Sequence, residues 1–293
     1  MNSIQVAATV ILYNPEDDAY ENINSYGKDV ATLIVVDNST AHNTKLIKKM
    51  QNSFENLIYI NNNANLGIAT ALNLGCEKAI ELGFEWILTM DQDSKFINFN
   101  DYKACLSKLE NTQEVAILSA NTNYNETMPL PQNPECSYEE KFSAITSANF
   151  LNLSLFEKIG KFEDKLFIDL VDYDYCIKAQ VNNFKVLYYP HIFVKHALGA
   201  VFVRKNLITR KERSKVEHNP QRTYYFARNF LYVAQKFGRK FPKEMGMLKI
   251  INILFIHEVT KIILYEDQKL KKLYAKFIGL SHFLLGKYGK YDI

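Results

Sequence analysis

Short apolar runs alternate with amphipathic segments along the first part of the chain. Apolar, β-branched runs predict four strands, at residues 4–12, 33–36, 57–60 and 86–90. From Leu66 to Leu82 the apolar residues recur at helical spacing, and Gly83 ends the pattern. Short apolar strands that alternate with helices predict a parallel sheet covered on both faces.

The second part of the chain shows a change of pattern. Residues 119–141 are rich in Asn and Pro and predict a loop. A strand near 142, a helix near 153–159, a helix from 169 to about 183 and a strand at 186–189 follow. From residue 218 onward the chain is helical in pattern, with breaks at Gly238 and Pro242. We therefore expect an α/β catalytic domain over residues 1–235 and a helical extension over 236–293.

Composition adds an asymmetry of charge. The chain has 293 residues, of which 47% are hydrophobic, so it can bury a sizeable core. Residues 236–293 contain twelve Lys and Arg and five Asp and Glu, a net charge of +7, so the remainder carries −4 of the total of +3. A basic, apolar extension on an acidic body predicts a surface that meets anionic lipid.

The cysteines and the N-terminal residues bear on the compartment. The four cysteines are far apart and form no CxxC pair, which predicts free thiols in a reducing cytoplasm: Cys76, Cys105, Cys136 and Cys176. The apolar run from Val6 to Leu12 follows no basic segment and predicts a first strand rather than a signal peptide. No stretch reaches the ~18 apolar residues of a membrane span.

Carboxylates stand where two predicted strands end. Asp91, Gln92 and Asp93 directly follow the fourth strand, and Asp37 ends the second. Ligands of parallel sheets bind beyond the carboxyl ends of the strands. Side chains alternate along an extended segment, so Asp91 and Asp93 face the same side. Two such oxygen ligands suit Mg²⁺ or Mn²⁺ bound to substrate phosphates, whereas the alternative for the triplet alone is a solvated turn.

Two further segments can carry chemistry. Asn65, Gly67 and Ala69 span a loop-to-helix junction, where a glycine allows close approach and a helix N-terminus favours an anion. The alternative is a plain helix cap with a packing glycine. Asp172 and Asp174 do not share a helix face, so we expect one to deprotonate a hydroxyl and the other to cap the helix.

His196 and the block from His218 to Asn229 allow more than one interpretation. His196 becomes a metal-ligand candidate only if the fold brings it to Asp93. In the block, Arg222 suits paired hydrogen bonds to phosphate, while the aromatic residues beside it suit either a ligand or the helix core. A nucleic-acid patch would use the same residue types, but the acidic body argues against one, and we predict no nucleic-acid partner.

In order and spacing, these segments resemble the family 2 glycosyltransferases with a GT-A fold, and within them the branch of bacterial rhamnosyltransferases. The resemblance covers about residues 4–230 and implies a Rossmann-like mixed sheet flanked by helices, with the helical C-terminal extension beyond it. The matching residues are Leu12 to Pro15, Val35 to Ser39, Asn65 to Ala69 with Asn73 and Gly75, Ile87 to Ser94, Phe167 to Cys176, His196 and His218 to Asn229.

The resemblance also implies a role for each matching residue. Asp172 is implied to be the catalytic base. Asp93, Asp91 and His196 are implied to hold Mg²⁺ or Mn²⁺. The implied nucleotide contacts are Tyr13, Asn14, Asp37, Asn65, Gly67, Ala69, Asp91 and Gln92. The implied contacts to sugar donor or acceptor are Asp169, Asp174, Arg222 and Tyr225. Two departures from the wider family are Val171, where many members have Glu, and Lys178, where Arg is more usual.

The implied reaction is inverting transfer of L-rhamnose from dTDP-L-rhamnose to a saccharide acceptor, lipid-linked or free, in bacterial surface polysaccharide synthesis. The implied place is the cytoplasm, at the inner face of the cell membrane. The alternatives are a family 2 transferase that uses a UDP-hexose or UDP-GlcNAc, and a catalytically dead binding module. A nucleotidyltransferase would carry a basic, Gly-rich first loop, whereas the loop at residues 14–18 is acidic. The basic C-terminal helices suit a membrane surface, a homodimer contact or packing on the catalytic domain.

Overall fold

The structure is a computed structural model that describes residues 4–122, 135–196, 201–205, 212–216 and 218–293. The chain forms two compact units. The first unit combines Met1–Glu163 with Val171–Ala197, and the second unit combines Asp164–Leu170 with Leu198–Ile293. The boundary that we predicted between residues 235 and 236 therefore lies inside the second unit.

The described part of the first unit contains a nine-stranded mixed sheet. Its strands are β1 (Ala7–Leu12), β2 (Thr32–Asp37), β3 (Leu57–Asn61), β4 (Trp86–Asp91), β5 (Ser94–Phe96), β6 (Val115–Asn121), β7 (Glu139–Glu140), β8 (Asn149–Asn152) and β9 (Lys185–His196). The strand order is β3-β2-β1-β4-β8-β6-β9-β5, with β7 paired to β9. The first four strands are parallel, as predicted, and β8 runs antiparallel to both β4 and β6.

Helices cover the sheet because its strands are apolar on both faces; all six residues of β1 are buried. The helices of the first unit are α1 (Ala19–Asn24), α2 (Thr44–Ser53), α3 (Ile68–Glu81), α4 (Phe99–Ser107), α5 (Phe156–Ile159) and α6 (Val171–Val181). Helix α3 packs closely on β1, since a Cβ at Gly75 would meet Thr9 Oγ1 at 2.2 Å. The predicted α/β class and mixed sheet are confirmed.

The cysteine prediction needs a correction. Cys105 on α4 and Cys136 form a disulfide, whereas we predicted four free thiols. The two residues are 31 positions apart, and that spacing carries no local signal of pairing. Cys76 and Cys176 are free and buried, as expected.

The second unit is largely helical. It contains a hairpin of β10 (Val201–Lys205) and β11 (Glu212–Val216), followed by α7 (Pro220–Phe237), α8 (Pro242–Met245), α9 (Met247–Asn252), α10 (Glu258–Tyr265) and α11 (Lys269–Leu284). A π-helical turn, Ile253–His257, joins α9 to α10. Gly279 lets α11 approach α7, because a Cβ there would lie 2.9 Å from the Tyr224 carbonyl oxygen. No helix among the described residues is long and apolar enough to span a membrane.

The segment Asp164–Leu170 belongs to the second unit and precedes α6 directly. Phe167, Asp169 and Leu170 have φ values of 64°, 63° and 66°, in the left-handed region. The helix that we predicted from Asp169 therefore begins at Val171, because left-handed residues cannot continue a right-handed helix.

Two buried side chains of α7 hold this segment. The Arg228 guanidinium donates to the carbonyl oxygens of Lys165 and Leu166 at 3.1 Å, and to that of Gly289 at 2.8 Å. The Asn229 amide donates to the carbonyl oxygens of Leu166, Ile168 and Asp169 at 2.7–2.9 Å. These bonds satisfy backbone groups that no regular element pairs.

Candidate active site

Three metal-ligand candidates converge at one end of the sheet. Asp91 ends β4, and Asp93 lies in the turn between β4 and β5. Strand β5 pairs antiparallel with β9 and sets Ser94 opposite His196. As a result, ligand atoms of Asp91, Asp93 and His196 all lie within 4.8 Å of one another. The fold thus meets the condition under which the sequence made His196 a ligand candidate.

A chain of hydroxyl groups supports this cluster. The Ser94 hydroxyl is hydrogen-bonded to His196 Nδ1 at 2.7 Å and to the Ser147 hydroxyl at 2.7 Å. The Asp91 backbone N–H donates to Ser147 Oγ at 3.2 Å. Both serines are buried. Hydrogen bonds of this kind fix the orientation of metal-binding histidines.

The donor set fits a hard divalent cation. Asp93 Oδ1 is buried and accepts no hydrogen bond from the described residues, and it lies 3.4 Å from His196 Nδ1. A buried carboxylate oxygen without a hydrogen-bond donor costs free energy unless a cation lies beside it. Two carboxylates and an imidazole are ligands that Mn²⁺ accepts, and Mg²⁺ accepts the carboxylates.

Asp37 lies at the same sheet edge, separated from Asp91 by β1. Its buried carboxylate accepts hydrogen bonds from the Ser39 backbone at 2.8 Å and the Tyr59 hydroxyl at 2.7 Å, and it contacts His42 Nδ1 at 3.0 Å. Burial alone would raise the pKa of Asp37, but the hydrogen bonds from Ser39, Tyr59 and His42 lower it overall. Asp37 is therefore a fixed, ionised group at the edge of the cleft.

Gln92 links the metal-ligand turn to the first loop. Its side-chain oxygen accepts from the Tyr13 backbone N–H at 2.9 Å, and its amide donates to the Tyr13 carbonyl oxygen at 3.2 Å. Asn14 has a φ of 45°, and its N–H donates to Ser39 Oγ at 2.7 Å. The ring of Tyr13 is about half exposed, so the first loop presents a free aromatic face near the strand ends.

The turn before α3 has a backbone geometry that allows a ligand to approach closely. The Asn65 side chain accepts from the Gly67 N–H at 3.0 Å, and Gly67 has a φ of 88° that favours glycine. The Asn38 amide donates to the Gly67 carbonyl oxygen at 3.0 Å. Ala69 is buried in the first turns of the helix. The turn is therefore tied to the end of β2, beside Asp37.

The two acids of α6 differ in environment. Asp174 is fully buried and forms an ion pair with Lys178 at 3.0 Å, which gives it a structural role. Asp172 is only partly buried, and its Oδ1 accepts from the Tyr173 backbone at 2.8 Å. Lys178, the residue that departs from the family pattern, keeps a cation beside Asp174.

The remaining predicted contacts belong to the second unit. Arg222 donates from two nitrogens to the Asp169 carboxylate, which is nearly buried, while Arg222 is about half exposed. Tyr225 is buried in a cluster with Phe167, Tyr224 and Ala275. Its hydroxyl donates to the Tyr291 carbonyl oxygen at 3.1 Å and accepts from the Tyr291 N–H at 2.8 Å. Tyr225 thus matches the alternative of a core residue rather than a ligand contact.

Sequence reasoning missed Ser147, His42 and Tyr59. Ser147 lies 53 residues from Ser94, and no motif surrounds it. His42 and Tyr59 follow Asp37 by 5 and 22 residues, and only the pairing of β2 with β3 brings Tyr59 to it. Parallel pairing of neighbouring strands was predicted, so register along β3 was the one available signal for Tyr59.

Comparisons with known proteins agree with this geometry. Residues 9–185 match the profile of Glycosyl transferase family 2. The chain is 28% identical over 288 residues to the dTDP-rhamnosyl transferase RfbF of Shigella flexneri, with 92% of each chain covered. It is 23% identical over 197 residues to the low-salt glycan biosynthesis hexosyltransferase Agl10 of Haloferax volcanii, with 60% of this chain and 62% of that protein covered.

Solved structures show the same fold at low sequence identity. S. aureus TarS 1-349 in complex with UDP-GlcNAc superposes with a TM-score of 0.61 and 15% identity, covering 96% of this chain and 81% of that chain. The mannosyltransferase PcManGT of Pyrobaculum calidifontis, in complex with GDP-Man and Mn²⁺, has a TM-score of 0.55 and 14% identity, covering 94% and 75%. With the family profile matched over more than half of its length, the chain belongs to glycosyl transferase family 2.

Proposed function

We propose that the protein transfers L-rhamnose from dTDP-L-rhamnose to a saccharide acceptor, with inversion at the anomeric carbon. The choice of donor is supported by the likeness to RfbF, a dTDP-rhamnosyl transferase, over 92% of both chains. The observation that carries the transfer itself is the convergence of Asp91, Asp93 and His196 at the end of a parallel sheet.

In this proposal Asp91, Asp93 and His196 hold a Mg²⁺ or Mn²⁺ ion. Asp93 supplies its buried, hydrogen-bond-free oxygen, and Ser94 orients the imidazole. The ion would neutralise charge on the leaving diphosphate. Asp37, Tyr13, Asn14 and the turn of Asn65, Gly67 and Ala69 contact the nucleoside.

Asp172 acts as the base in the chemical step. Its carboxylate accepts the proton of an acceptor hydroxyl while that oxygen bonds to the anomeric carbon of the sugar. The bond from that carbon to the diphosphate oxygen breaks, and dTDP leaves with the electron pair. Attack from the face opposite the leaving group inverts the configuration in one step. Asp174 is fully buried, whereas Asp172 is partly exposed, so Asp172 is the α6 carboxylate that an acceptor hydroxyl can reach.

The acceptor side is also part of the proposal. Asp169 and Arg222 form an ion pair in the second unit, and the half-exposed Arg222 guanidinium suits a hydroxyl-rich or anionic acceptor. We propose a saccharide acceptor of a bacterial surface polysaccharide, lipid-linked, with the enzyme at the inner face of the cell membrane.

A panel of sugar nucleotides tests the donor. dTDP-L-rhamnose, UDP-GlcNAc and GDP-mannose are compared, with and without Mn²⁺, by thermal shift and by release of the nucleoside diphosphate. We expect the largest metal-dependent shift and the fastest release with dTDP-L-rhamnose. A larger response to UDP-GlcNAc or GDP-mannose would reject the rhamnosyl donor while keeping a family 2 transferase. Binding without any turnover, with acceptor extracts present, would favour a binding module.

A further inference from the structure

Helix α11 has its polarity reversed with respect to an ordinary surface helix. The side that packs within the second unit carries Lys272, Ala275, Lys276 and Gly279, all buried. The opposite side carries Leu270, Tyr274, Phe277 and Leu284, which are 84%, 57%, 62% and 72% exposed. A surface helix normally places its lysines outside and its leucines inside. We therefore expect a binding partner to cover the exposed apolar side of α11.

The four exposed residues lie on one side of the helix, with Ser281 between Phe277 and Leu284, and we call this side the α11 stripe. Their spacing of four, three and seven residues places them along a single side of a helix with 3.6 residues per turn. Over 14 residues the stripe is about 21 Å long. Leu285, also exposed, extends it past the end of the helix. Exposed apolar surface of this kind marks an interaction site rather than scattered surface residues.

The charges around the stripe are mostly positive, although Asp267 and Asp292 are exposed at its two ends and Asp292 lies 3.7 Å from Lys290. Lys271, Lys287 and Lys290 are exposed, and no acidic residue occurs between Gln268 and Tyr291. Of the two acids just before the helix, Glu266 is buried and paired with Lys261 and Lys272, and Asp267 is exposed. The stripe is thus an apolar surface with a cationic rim.

We propose that the α11 stripe inserts into the interfacial region of a bilayer that contains anionic phospholipid. Leucine and phenylalanine side chains enter the boundary of the acyl chains, while lysines at the rim meet the lipid phosphates. Tyr274 has the apolar ring and polar hydroxyl that suit the level of the headgroups. The helix lies in the plane of the membrane, in keeping with the finding that no described helix can span one.

A second copy of the chain is a weaker occupant for physical reasons. In a two-fold dimer the same patch meets itself, so the lysine rim of one copy would face the lysine rim of the other. Lipid phosphates supply the opposite charge around an apolar centre. The second unit also exposes Leu248, Ile251, Ile256 and Ile263, from α9 through the π-helical turn to α10, with Lys249 among them, so basic apolar surface recurs there.

Vesicle flotation of the full chain tests the proposal, with vesicles of phosphatidylcholine alone and of phosphatidylcholine mixed with phosphatidylglycerol. A stripe variant combines Leu270→Ser, Phe277→Ser and Leu284→Ser. A rim variant combines Lys271→Glu and Lys287→Glu. A matched control replaces two exposed apolar residues of the first unit, Ile80→Ser and Leu82→Ser. All of these positions are exposed, so we expect each variant to fold. Thermal unfolding checks that it does.

We expect the wild type and the control to float with phosphatidylglycerol and to stay unbound with phosphatidylcholine alone. The stripe variant should bind at least ~10-fold more weakly, since each buried apolar side chain contributes to partitioning. The rim variant should lose about fivefold in affinity for these vesicles per lysine replaced. Added salt should weaken the binding of the wild type to them. These readouts need no sugar transfer, so they stand or fall independently of the proposed donor.

Three results would overturn the proposal. The first is a folded wild type that does not float with phosphatidylglycerol. The second is a stripe variant that floats as well as the wild type. The third is a wild-type dimer in light scattering that the stripe variant turns into a monomer, which would assign the stripe to a second copy of the chain.

Discussion

Among single residues, Asp93 has the most unusual surroundings in the metal-ligand cluster. Its Oδ1 is buried and accepts no hydrogen bond within the described chain, although it lies among groups that can share a cation. Asp91, by contrast, is anchored through its backbone to Ser147. The sensitivity of the site to a neutral side chain should therefore be greatest at Asp93.

We expect Asp93→Asn to weaken dTDP binding in the presence of Mn²⁺ by at least ~10-fold, because even outer contacts of a metal site are worth that much. Calorimetry of dTDP binding with and without Mn²⁺ measures the effect. Asp29→Asn, at an exposed acid of the first unit, is the matched control and should bind normally. Equal affinities of the wild type with and without Mn²⁺ would reject the metal assignment.

The two acids of α6 make a second contrast. Asp172→Asn should lower the transfer rate by about 10²–10⁴-fold and leave dTDP binding and stability unchanged, since only the proton acceptor is lost. Asp174→Asn should instead lower the free energy of unfolding by roughly 3 kcal/mol, because it leaves Lys178 without its buried partner. Transfer assays and denaturant unfolding on both variants separate the roles. A fully active Asp172→Asn enzyme would exclude Asp172 as the base.

Lys276 yields a prediction about pH. The side chain is 2% exposed and has no carboxylate within ion-pair distance among the described residues. Burial lowers the pKa of Lys276 to about 8, against weaker opposing effects of Glu258 and Glu266 and a reinforcing one of Lys261. The unfolded chain therefore binds more protons than the folded chain between about pH 8 and the usual value of 10.5. Over that window this residue makes stability rise with pH.

We expect Lys276→Met to stabilise the protein at pH 7 by about 1–3 kcal/mol, as replacement of a buried charge by an apolar side chain often does. The gain over the wild type should shrink as the pH rises from about 8 towards 10. Thermal unfolding across this range measures it. Lys272→Met is the control: it is equally buried but paired with Glu266 at 2.8 Å, so its loss should destabilise. A pH-independent gain would show that packing, rather than charge, is responsible.

At the scale of elements, the link between α7 and the segment Asp164–Leu170 stands out. Arg228 and Asn229 together donate to the carbonyl oxygens of four residues of that segment. One of the four has a left-handed backbone, and two others are adjacent to a left-handed residue. Left-handed backbone at non-glycine residues costs of order 1–3 kcal/mol each and persists only where other contacts enforce it. These two side chains supply such contacts.

Arg228→Met should therefore destabilise the protein by about 3 kcal/mol or more, because it removes three charged hydrogen bonds to backbone carbonyl oxygens from a fully buried position. Denaturant unfolding measures the change. Arg239→Met, at an exposed position just beyond α7, should cost less than ~0.5 kcal/mol. A similar loss of stability in both variants would show that the hydrogen bonds of Arg228 do not stabilise the protein.

The elements also show what local sequence can and cannot predict. Apolar runs located β1 to β4, and their polar ends located Asp37 and Asp91, since burial on both faces leaves a strong pattern. The pairing of β5 with β9, which brings His196 to Ser94 across 102 residues, depends on long-range register and has no local trace. The left-handed segment was taken for a helical turn because its acids suit one and it contains no glycine.

At the scale of the whole molecule, the two units are not consecutive pieces of chain. The second unit takes Asp164–Leu170 from the middle of the sequence, and α7 packs on α11 through Gly279. Composition placed a boundary near 235 because charge changes there, but tertiary contacts do not follow that change. A break at 235 removes α11 and leaves the apolar side of α7 uncovered.

A chain cut after residue 235 should consequently fail to form the second unit. In limited proteolysis of the shortened chain, we expect α7 and the segment before α6 to be cleaved rapidly. Residues 4–122 should be cleaved as slowly as they are in the full chain. The physical reason is that Tyr224, Ala227 and Arg228 lose their contacts with Gly279 and Gly289. Protection of α7 equal to that in the full chain would show that residues 1–235 form an independent domain.

The anchoring of Asp164–Leu170 has a consequence for the order in which a nascent chain can mature. The segment leaves the ribosome more than 50 residues ahead of Arg228 and Asn229, and more than 100 ahead of Gly289, whose N–H bonds to the Lys165 carbonyl oxygen. The parallel strands with Asp37 and Asp91 can form early in translation. The backbone that leads into Asp172 acquires its fixed path only when synthesis is nearly complete, so the nucleotide-side residues exist before the proposed base is held in place.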